Sequence, residues 1–203
     1  VMVFYQIFLW ITRKHLWKRL RNMVSNLNIE NYILDKLKST DANQLYQFLY
    51  DNKERLKLFF PVTLEMNSSL EKTKDYISIK NKEIEERTNF TLAIRDKNKE
   101  EIAGLIIIKK IDWDKKQGEF AYCIGSEFEG KGLTSFAVKE MTNFAFEELG
   151  LKTLQIIAHK TNFGSVKVAE NNGFVWQSTL QNEFTPTNEM PLDMELYELY
   201  NEK

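Results

Sequence analysis

The sequence has few of the residues that mark secreted, fibrous or multidomain proteins. One cysteine, Cys123, stands among 203 residues, which excludes an internal disulfide and a cysteine-rich zinc site. Three prolines and eight glycines form no linker, and no segment repeats at a fixed period. We therefore expect one domain of ordinary size and a reducing, cytoplasmic compartment.

A strong excess of charge is also missing. The formal net charge of -1 at pH 7 argues against a protein that coats nucleic acid. The mostly apolar run at residues 1–11 is shorter than the ~20 residues that a membrane-spanning helix needs. A secretory signal peptide would place its basic residues before such a run, whereas here they follow it.

Residues 1–29 differ in charge from the rest of the chain, with five basic residues and no acid. Apolar residues recur in this segment at roughly helical spacing, which favours an amphipathic helix whose residues 1–22 contact a membrane surface. The other interpretation, which we favour, is an appendage to the folded domain or a start of translation at Met23. In both cases the domain itself is predicted to span residues 30–203.

From residue 30 onward, helical and strand periodicities alternate, which predicts an α/β fold. Residues 32–37 have the pattern of a short strand, and Asp41 with Gln44 predicts a capping box at the start of a helix. Residues 90–95 alternate as in a half-buried strand, and residues 101–111 are expected to pair with it as a hairpin.

The second half of the chain contains a strand, a glycine loop, a helix and a second strand. The strands are predicted at residues 118–125 and 153–159, the latter apolar enough for a central parallel strand. A short helix over residues 162–172 follows, and the runs 174–180 and 194–200 are expected to close the sheet as an antiparallel pair. These elements predict a mixed sheet around a strand-loop-helix-strand crossover.

The glycine loop, GSEFEGKGLT, is close to the phosphate-binding pattern of nucleotide hydrolases. Gly125, Gly130 and Lys131 satisfy G-x-x-x-x-G-K, but Gly132 stands where a Ser or Thr must hold magnesium. The following strand also ends in Ala-His, without the Asp that would support the metal. The pattern instead favours a helix N-terminus that binds a pyrophosphate without a metal, such as that of coenzyme A.

The loop and the later helix resemble two motifs of the GNAT N-acetyltransferases, and within them of the RimJ/RimL type that acetylates protein N-termini. FEGKGLTS is similar to the family's Gln/Arg-x-x-Gly-x-Gly/Ala acetyl-CoA loop, and NFGSVKVAENNGF is similar to the RimL-type N-x-x-S...GF helix. The resemblance implies a GNAT-like mixed, mostly antiparallel central sheet with a parallel strand-loop-helix-strand core and flanking helices. It also implies acetyl-CoA as co-substrate and no metal.

The same resemblance implies which residues contact the co-substrate. Backbone N–H groups on the strand before the loop would line the acetyl donor, the loop would hold the pyrophosphate, and Asn162 would contact the pantetheine or act as an ordinary helix cap. Glu127 departs from the family pattern at the Gln/Arg position, so the backbone amides must carry the binding. The implied cofactor-binding residues are Tyr122, Cys123, Ile124, Gly130, Lys131, Gly132, Leu133, Thr134 and Asn162.

Two residues are candidates for proton transfer. Glu119 lies on the strand where GNAT enzymes often carry the carboxylate base, and its other interpretation is a solvent-facing strand acid. Many members place a tyrosine on the later helix to protonate the leaving thiolate, but Ala169 occupies that position here. The RimL type implies that Ser165 serves instead, and the alternative is a serine that bonds a free N–H at the helix start.

The predicted function is acetyl transfer from acetyl-CoA to a primary amine. Among such acceptors we favour the α-amine of a protein N-terminus, such as that of a ribosomal protein. An α-amine has a pKa of about 7.7–8.0, against about 10.4 for a lysine, and so demands less of a base. The alternatives are a small amine such as a polyamine or an amino sugar, or a module that binds acetyl-CoA without turnover. A metal-dependent nucleotide hydrolase is the remaining class, and no nucleic-acid partner is expected.

Overall fold

The computed structural model describes residues 31–186 and 190–202. The predictions made for residues 1–29, including the amphipathic helix and the start at Met23, lie outside these ranges.

Seven strands form a single sheet in the order β1-β2-β3-β4-β5-β7-β6. Neighbouring strands are antiparallel, except that β4 and β5 are parallel. This arrangement confirms the predicted mixed sheet with a parallel core. The strands are β1 (Tyr32–Lys36), β2 (Phe90–Asp96), β3 (Glu101–Asp112), β4 (Gln117–Ile124), β5 (Thr153–Ala158), β6 (Val175–Phe184) and β7 (Leu192–Tyr200).

Helices cover both faces of the sheet and bury two apolar clusters against it. One cluster joins α5 and α6 to the sheet, and the other joins α1 and α4 to its opposite face. Strand β4 contributes to both, because successive side chains point to opposite faces: Phe120 enters the first cluster and Cys123 the second. The helices are α1 (Ala42–Asp51), α2 (Lys53–Leu56), α3 (Pro61–Met66), α4 (Leu70–Glu86), α5 (Leu133–Glu147) and α6 (Phe163–Asn171).

Two local expectations, a half-buried strand β2 and a capping box at Asp41, are wrong. The first is wrong because helices cover both faces of this sheet. Strand β2 is buried along its whole length and not on one face only. The predicted capping box does not form, because Asp41 instead accepts a hydrogen bond from the buried Arg95 (Nη2 to Oδ2, 2.7 Å). Gln44 accepts from the backbone N–H of Ile102 at 3.2 Å. A buried guanidinium must be paired, and this requirement outweighs a helix cap.

The parallel pair β4 and β5 separates before either strand ends. Their pairing runs from Gln117 opposite Thr153 to Phe120 opposite Ile156 and then stops. Strand β4 nevertheless continues to Ile124, where it still pairs with β3. The edge of β4 that faces β5 is thus free of strand pairing beyond Phe120, and a gap opens between the two strands.

We expect Gly104→Ala to disturb the strand on which this gap depends. A Cβ at Gly104 would lie 2.3 Å from the carbonyl oxygen of Cys123 on β4, so one backbone must move. Overpacking of this kind costs about 1–3 kcal/mol of unfolding free energy, which urea denaturation would measure. Gly164→Ala is the matched control, because its Cβ would meet only an ordinary contact at 3.7 Å. Equal stability of the two variants would contradict the account.

Candidate active site

A cleft of about 930 Å³ occupies the gap between β4 and β5. Residues from β4, β5, the glycine loop and the first turns of α5 and α6 line it on one side. Residues of α2 and of the segment before α3, including Phe59 and Phe60, line the other. The cleft therefore connects the loop with the unpaired part of β4, as a site for an extended ligand requires.

The glycine loop ends at the N-terminus of α5. Gly130 and Gly132 adopt the left-handed conformation, with φ of 70° and 75°, which an L-residue adopts only with strain. Helix α5 begins at Leu133 directly afterwards, and its first N–H groups have no partner within the helix. Gly130, Gly132, Leu133 and Thr134 all line the cleft, so these amides form a site for an anion.

Lys131 is not brought into this site, although the sequence placed it among the cofactor contacts. Its ammonium group lies 5.5 Å from the centre of the Phe128 ring, and its side chain is not part of the cleft lining. The loop thus presents backbone amides and no lysine.

Replacing Gly132 with valine is expected to weaken acetyl-CoA binding tenfold or more. The Cβ would meet no protein atom within 4 Å, so the cost comes from the φ of 75°, which a β-branched residue resists. The loop would then move its amides away from the anion. Lys131→Ala is the matched control and should have a small effect, because its charge is exposed and screened. Titration calorimetry on both variants tests this, and a larger loss in Lys131→Ala would refute it.

Glu119 is buried on β4 and lines the cleft, so it is not the solvent-facing acid that the sequence left open. Its two carboxylate oxygens are held by Lys109 Nζ at 2.7 Å and Lys110 Nζ at 2.9 Å. The hydrogen bond from Lys110 to Glu119 raises the pKa of that lysine. A carboxylate held by two ammonium groups has one fixed orientation in the cleft.

An irregularity in β3 explains how two consecutive lysines reach one carboxylate. The register between β3 and β4 shifts between Lys109 and Asp112, and Lys110 has a φ of 50°. Neighbouring residues of a regular strand point to opposite faces, whereas a bulge redirects one of them. No periodicity in the sequence signals this bulge, so the two lysines were missed.

Tyr122 connects β4 to the first turn of α6. Its hydroxyl donates a hydrogen bond to the carbonyl oxygen of Ser165 at 3.3 Å, and burial raises the pKa of this phenol. The sequence predicts Tyr122 only as a strand residue beside the acetyl donor, and no local pattern indicates this hydroxyl contact. Cys123 points to the other face, where burial raises the pKa of its thiol to about 12, so it remains protonated.

The start of α6 shows which of its residues caps the helix. Asn162 is the N-cap, because its Oδ1 accepts a hydrogen bond from the backbone N–H of Ser165 at 3.2 Å. Ser165 is therefore not the capping residue, and its side chain lines the cleft. Nearby, His159 Nδ1 lies 2.7 Å from the Thr161 hydroxyl, and its ring stacks on Phe59 with 6.5 Å between centroids.

Comparison with known proteins decides the family. The family model described as "Acetyltransferase (GNAT) domain" matches residues 31–175, which is more than half of the chain. The chain is a GNAT acetyltransferase. The predicted membership, fold and enzyme class are therefore confirmed.

Two relatives of this acetyltransferase differ in the acceptor that their names give. YdaF of Bacillus subtilis, provisionally named a ribosomal N-acetyltransferase, is 36% identical over 74 residues, which cover 36% of this chain and 40% of YdaF. The spermidine N(1)-acetyltransferase of Escherichia coli strain K12 is 32% identical over 84 residues, or 41% of this chain and 45% of that protein. The chain thus matches less than half of the length of either relative.

Two solved structures share the fold of the acetyltransferase. The ribosomal-protein-S5-alanine acetyltransferase of Vibrio fischeri has a TM-score of 0.80 at 22% identity, covering 87% of this chain and 97% of its own. The microcin C7 self-immunity acetyltransferase MccE, in complex with acetyl-CoA and AMP, has a TM-score of 0.76 at 22% identity, covering 85% and 94%. Acetyl-CoA is therefore bound in a structure of the same fold.

Most residues that the sequence singled out line one cleft of the acetyltransferase. Glu119, Tyr122, Cys123 and Ile124 are on β4, the loop residues other than Lys131 are at its end, and Asn162 with Ser165 is across the gap on α6. Within residues 31–186 and 190–202, no helix is both long and apolar enough to span a bilayer.

Proposed function

We propose that the protein transfers an acetyl group from acetyl-CoA to the α-amine of a protein N-terminus. One observation carries the proposal: the parallel strands part just before the glycine loop, so that one cleft contains an anion-binding helix terminus, unpaired backbone of β4 and a buried carboxylate. Acetyl transfer from acetyl-CoA can use all three: the helix terminus for the pyrophosphate, the free backbone N–H groups for the thioester carbonyl, and the carboxylate as a base.

The donor would be held mainly by backbone groups. The pyrophosphate of acetyl-CoA would accept hydrogen bonds from the amides at Gly132, Leu133 and Thr134, where the helix dipole favours negative charge. The pantetheine would then pass along the free edge of β4 beside Tyr122 to Ile124, near the Asn162 side chain. An N–H on that edge would stabilise the oxyanion formed from the thioester carbonyl.

Two protons must move during the reaction. Glu119, directly or through a water molecule, would take the proton from the amine as it attacks the carbonyl carbon. The tetrahedral intermediate would then collapse, its C–S bond would break, and Ser165 would protonate the leaving thiolate of coenzyme A. Support for these roles comes from position: both side chains line the cleft, on opposite sides of the gap between the strands.

The charges of the cleft support an α-amine acceptor over a polyamine. Glu119 is held by two lysines and Glu129 by Arg55, so two of the three acids that the described residues place in the lining are already paired with bases. The third acid, Glu183, is matched in number by Lys167. A site for a polycation would instead be expected to present acids without bound lysines. An α-amine, which is largely neutral slightly above pH 8, also asks less of a carboxylate that is engaged by two ammonium groups. The single cysteine fits a reaction in the cytoplasm.

A panel of acceptors tests the proposal. Peptides with free N-termini, the same peptides with blocked N-termini and an internal lysine, spermidine and an amino sugar would be incubated with acetyl-CoA, and the released thiol measured. We expect turnover only with free N-termini, and mass spectrometry should place the acetyl group on the first residue. Turnover of spermidine alone would assign the polyamine, as the Escherichia coli relative suggests. Acetyl-CoA binding without turnover of any acceptor would indicate a module that binds acetyl-CoA and does not catalyse transfer.

A further inference from the structure

Arg55, on α2, contacts both the glycine loop and the end of β4. Its guanidinium forms an ion pair with Glu129, the residue immediately before Gly130, and donates to Asn52 Oδ1 at 2.9 Å. A longer contact of 3.4 Å joins it to the carbonyl oxygen of Ile124 at the end of β4. Arg55 therefore lines the cleft between the end of β4 and the residue that precedes Gly130.

No other basic side chain of the described residues is placed in the same way. The lysines and arginines that line the cleft within residues 31–186 and 190–202 are Arg55, Lys109, Lys110 and Lys167. The two consecutive lysines bind Glu119, which lies five positions before Ile124, or roughly 16 Å along the strand. Lys167 belongs to α6, across the gap.

We propose that Arg55 binds the phosphates of acetyl-CoA directly, in place of the cation that the loop lacks. The inference rests on the proposed function, and it explains how the loop tolerates Glu127 at the Gln/Arg position. A guanidinium matches phosphate oxygens with two parallel N–H donors. Its present partner is weakly held, because both side chains of the pair are partly exposed, at 39% and 53%. Phosphate oxygens therefore replace the Glu129 carboxylate when the ligand binds.

Asn52 holds the arginine ready for this exchange. It is buried, its Nδ2 donates to the Phe48 carbonyl oxygen at 2.9 Å, and its Oδ1 accepts both from Arg55 and from the backbone N–H of Ser126 at 3.0 Å. One amide thus fixes the guanidinium and the start of the loop segment relative to each other. Asn52 is a positioning residue for Arg55.

The test compares four variants with the wild type by titration calorimetry with acetyl-CoA. Arg55→Gln should bind tenfold or more weakly, whereas Glu129→Gln should bind as tightly as the wild type or more tightly, because it frees the guanidinium. The double variant should remain as weak as Arg55→Gln. Lys53→Gln, which removes a charge from the same helix outside the cleft, is the matched control. S-acetylpantetheine, which lacks the pyrophosphate, should bind to Arg55→Gln and to the wild type equally in a ligand-observed NMR titration.

Three results would overturn the inference. Unchanged affinity in Arg55→Gln would show that the arginine does not contact the ligand. An equal loss of acetyl-CoA affinity in Glu129→Gln would show that the ion pair only stabilises the conformation of the loop. If Arg55→Gln does not fold, the affinity of Glu129→Gln alone decides between the two interpretations. Wild-type affinity in the double variant would mean that Arg55 only neutralises Glu129. Failure of the wild type to bind acetyl-CoA would instead refute the proposed function itself.

Discussion

Glu119→Gln should lower kcat by roughly 10²- to 10⁴-fold while leaving the affinity for acetyl-CoA nearly unchanged. The substitution keeps the size of a side chain that is buried in the cleft wall, and it removes the group that would accept the proton of the amine. The loss should be present at every pH at which the amine is neutral, since the variant lacks the group that takes the proton of the amine. Steady-state kinetics between pH 5 and 9, with the acceptor found in the panel, would measure both effects.

The structure also provides an internal control for this experiment. Lys109 and Lys110 lose a partner in Glu119→Gln, but they are 38% and 63% exposed and can be solvated. The melting temperature should therefore change little, so that a fall in kcat cannot be attributed to unfolding. An unchanged rate at neutral pH would take the role of base away from Glu119 and assign it to water or to the low pKa of the amine.

Ser165→Ala should lower kcat by about 10²-fold with a nearly unchanged melting temperature. The chemical reason is that the thiolate of coenzyme A would lose its proton donor. The structural reason is that Asn162, and not Ser165, caps α6, so the helix keeps its cap in the variant. Asn162→Ala provides the contrast, because loss of a cap costs about 0.5–2 kcal/mol of stability.

Tyr122 is the competing proton donor in this region. Its hydroxyl lies 3.3 Å from the carbonyl oxygen of Ser165, so it too lies at the start of α6. Tyr122→Phe should leave kcat within a few-fold of the wild type if Ser165 is the donor. A normal kcat in Ser165→Ala, together with a large loss in Tyr122→Phe, would transfer the role to the tyrosine.

The features that sequence reasoning found are local in the chain. The glycine loop, the helix after it and the asparagine that caps α6 each follow from residues within a few positions of one another. Their order also placed the parallel strands correctly, because a crossover of this length connects parallel neighbours. Ser165 was named from the resemblance to the RimL type, whose motif also lies within a few positions of the chain.

The features that sequence reasoning missed depend on distant residues or on backbone irregularities. Asp41 pairs with Arg95 instead of capping the helix. Arg95 lies 54 residues away in the sequence, so a local capping pattern cannot show this partner. The pairing of Glu119 with two lysines depends on a bulge at Lys110. Arg55 reaches Glu129 across 74 residues, and only the packing of α2 beside the end of β4 brings them together.

Binding of acetyl-CoA to the wild-type protein, followed by titration calorimetry with magnesium and again with EDTA, tests the central claim most directly. The account predicts one molecule bound per chain with the same affinity in both buffers, because backbone amides at the start of α5 hold the pyrophosphate without a metal. Absence of binding, or binding that requires magnesium, would contradict it.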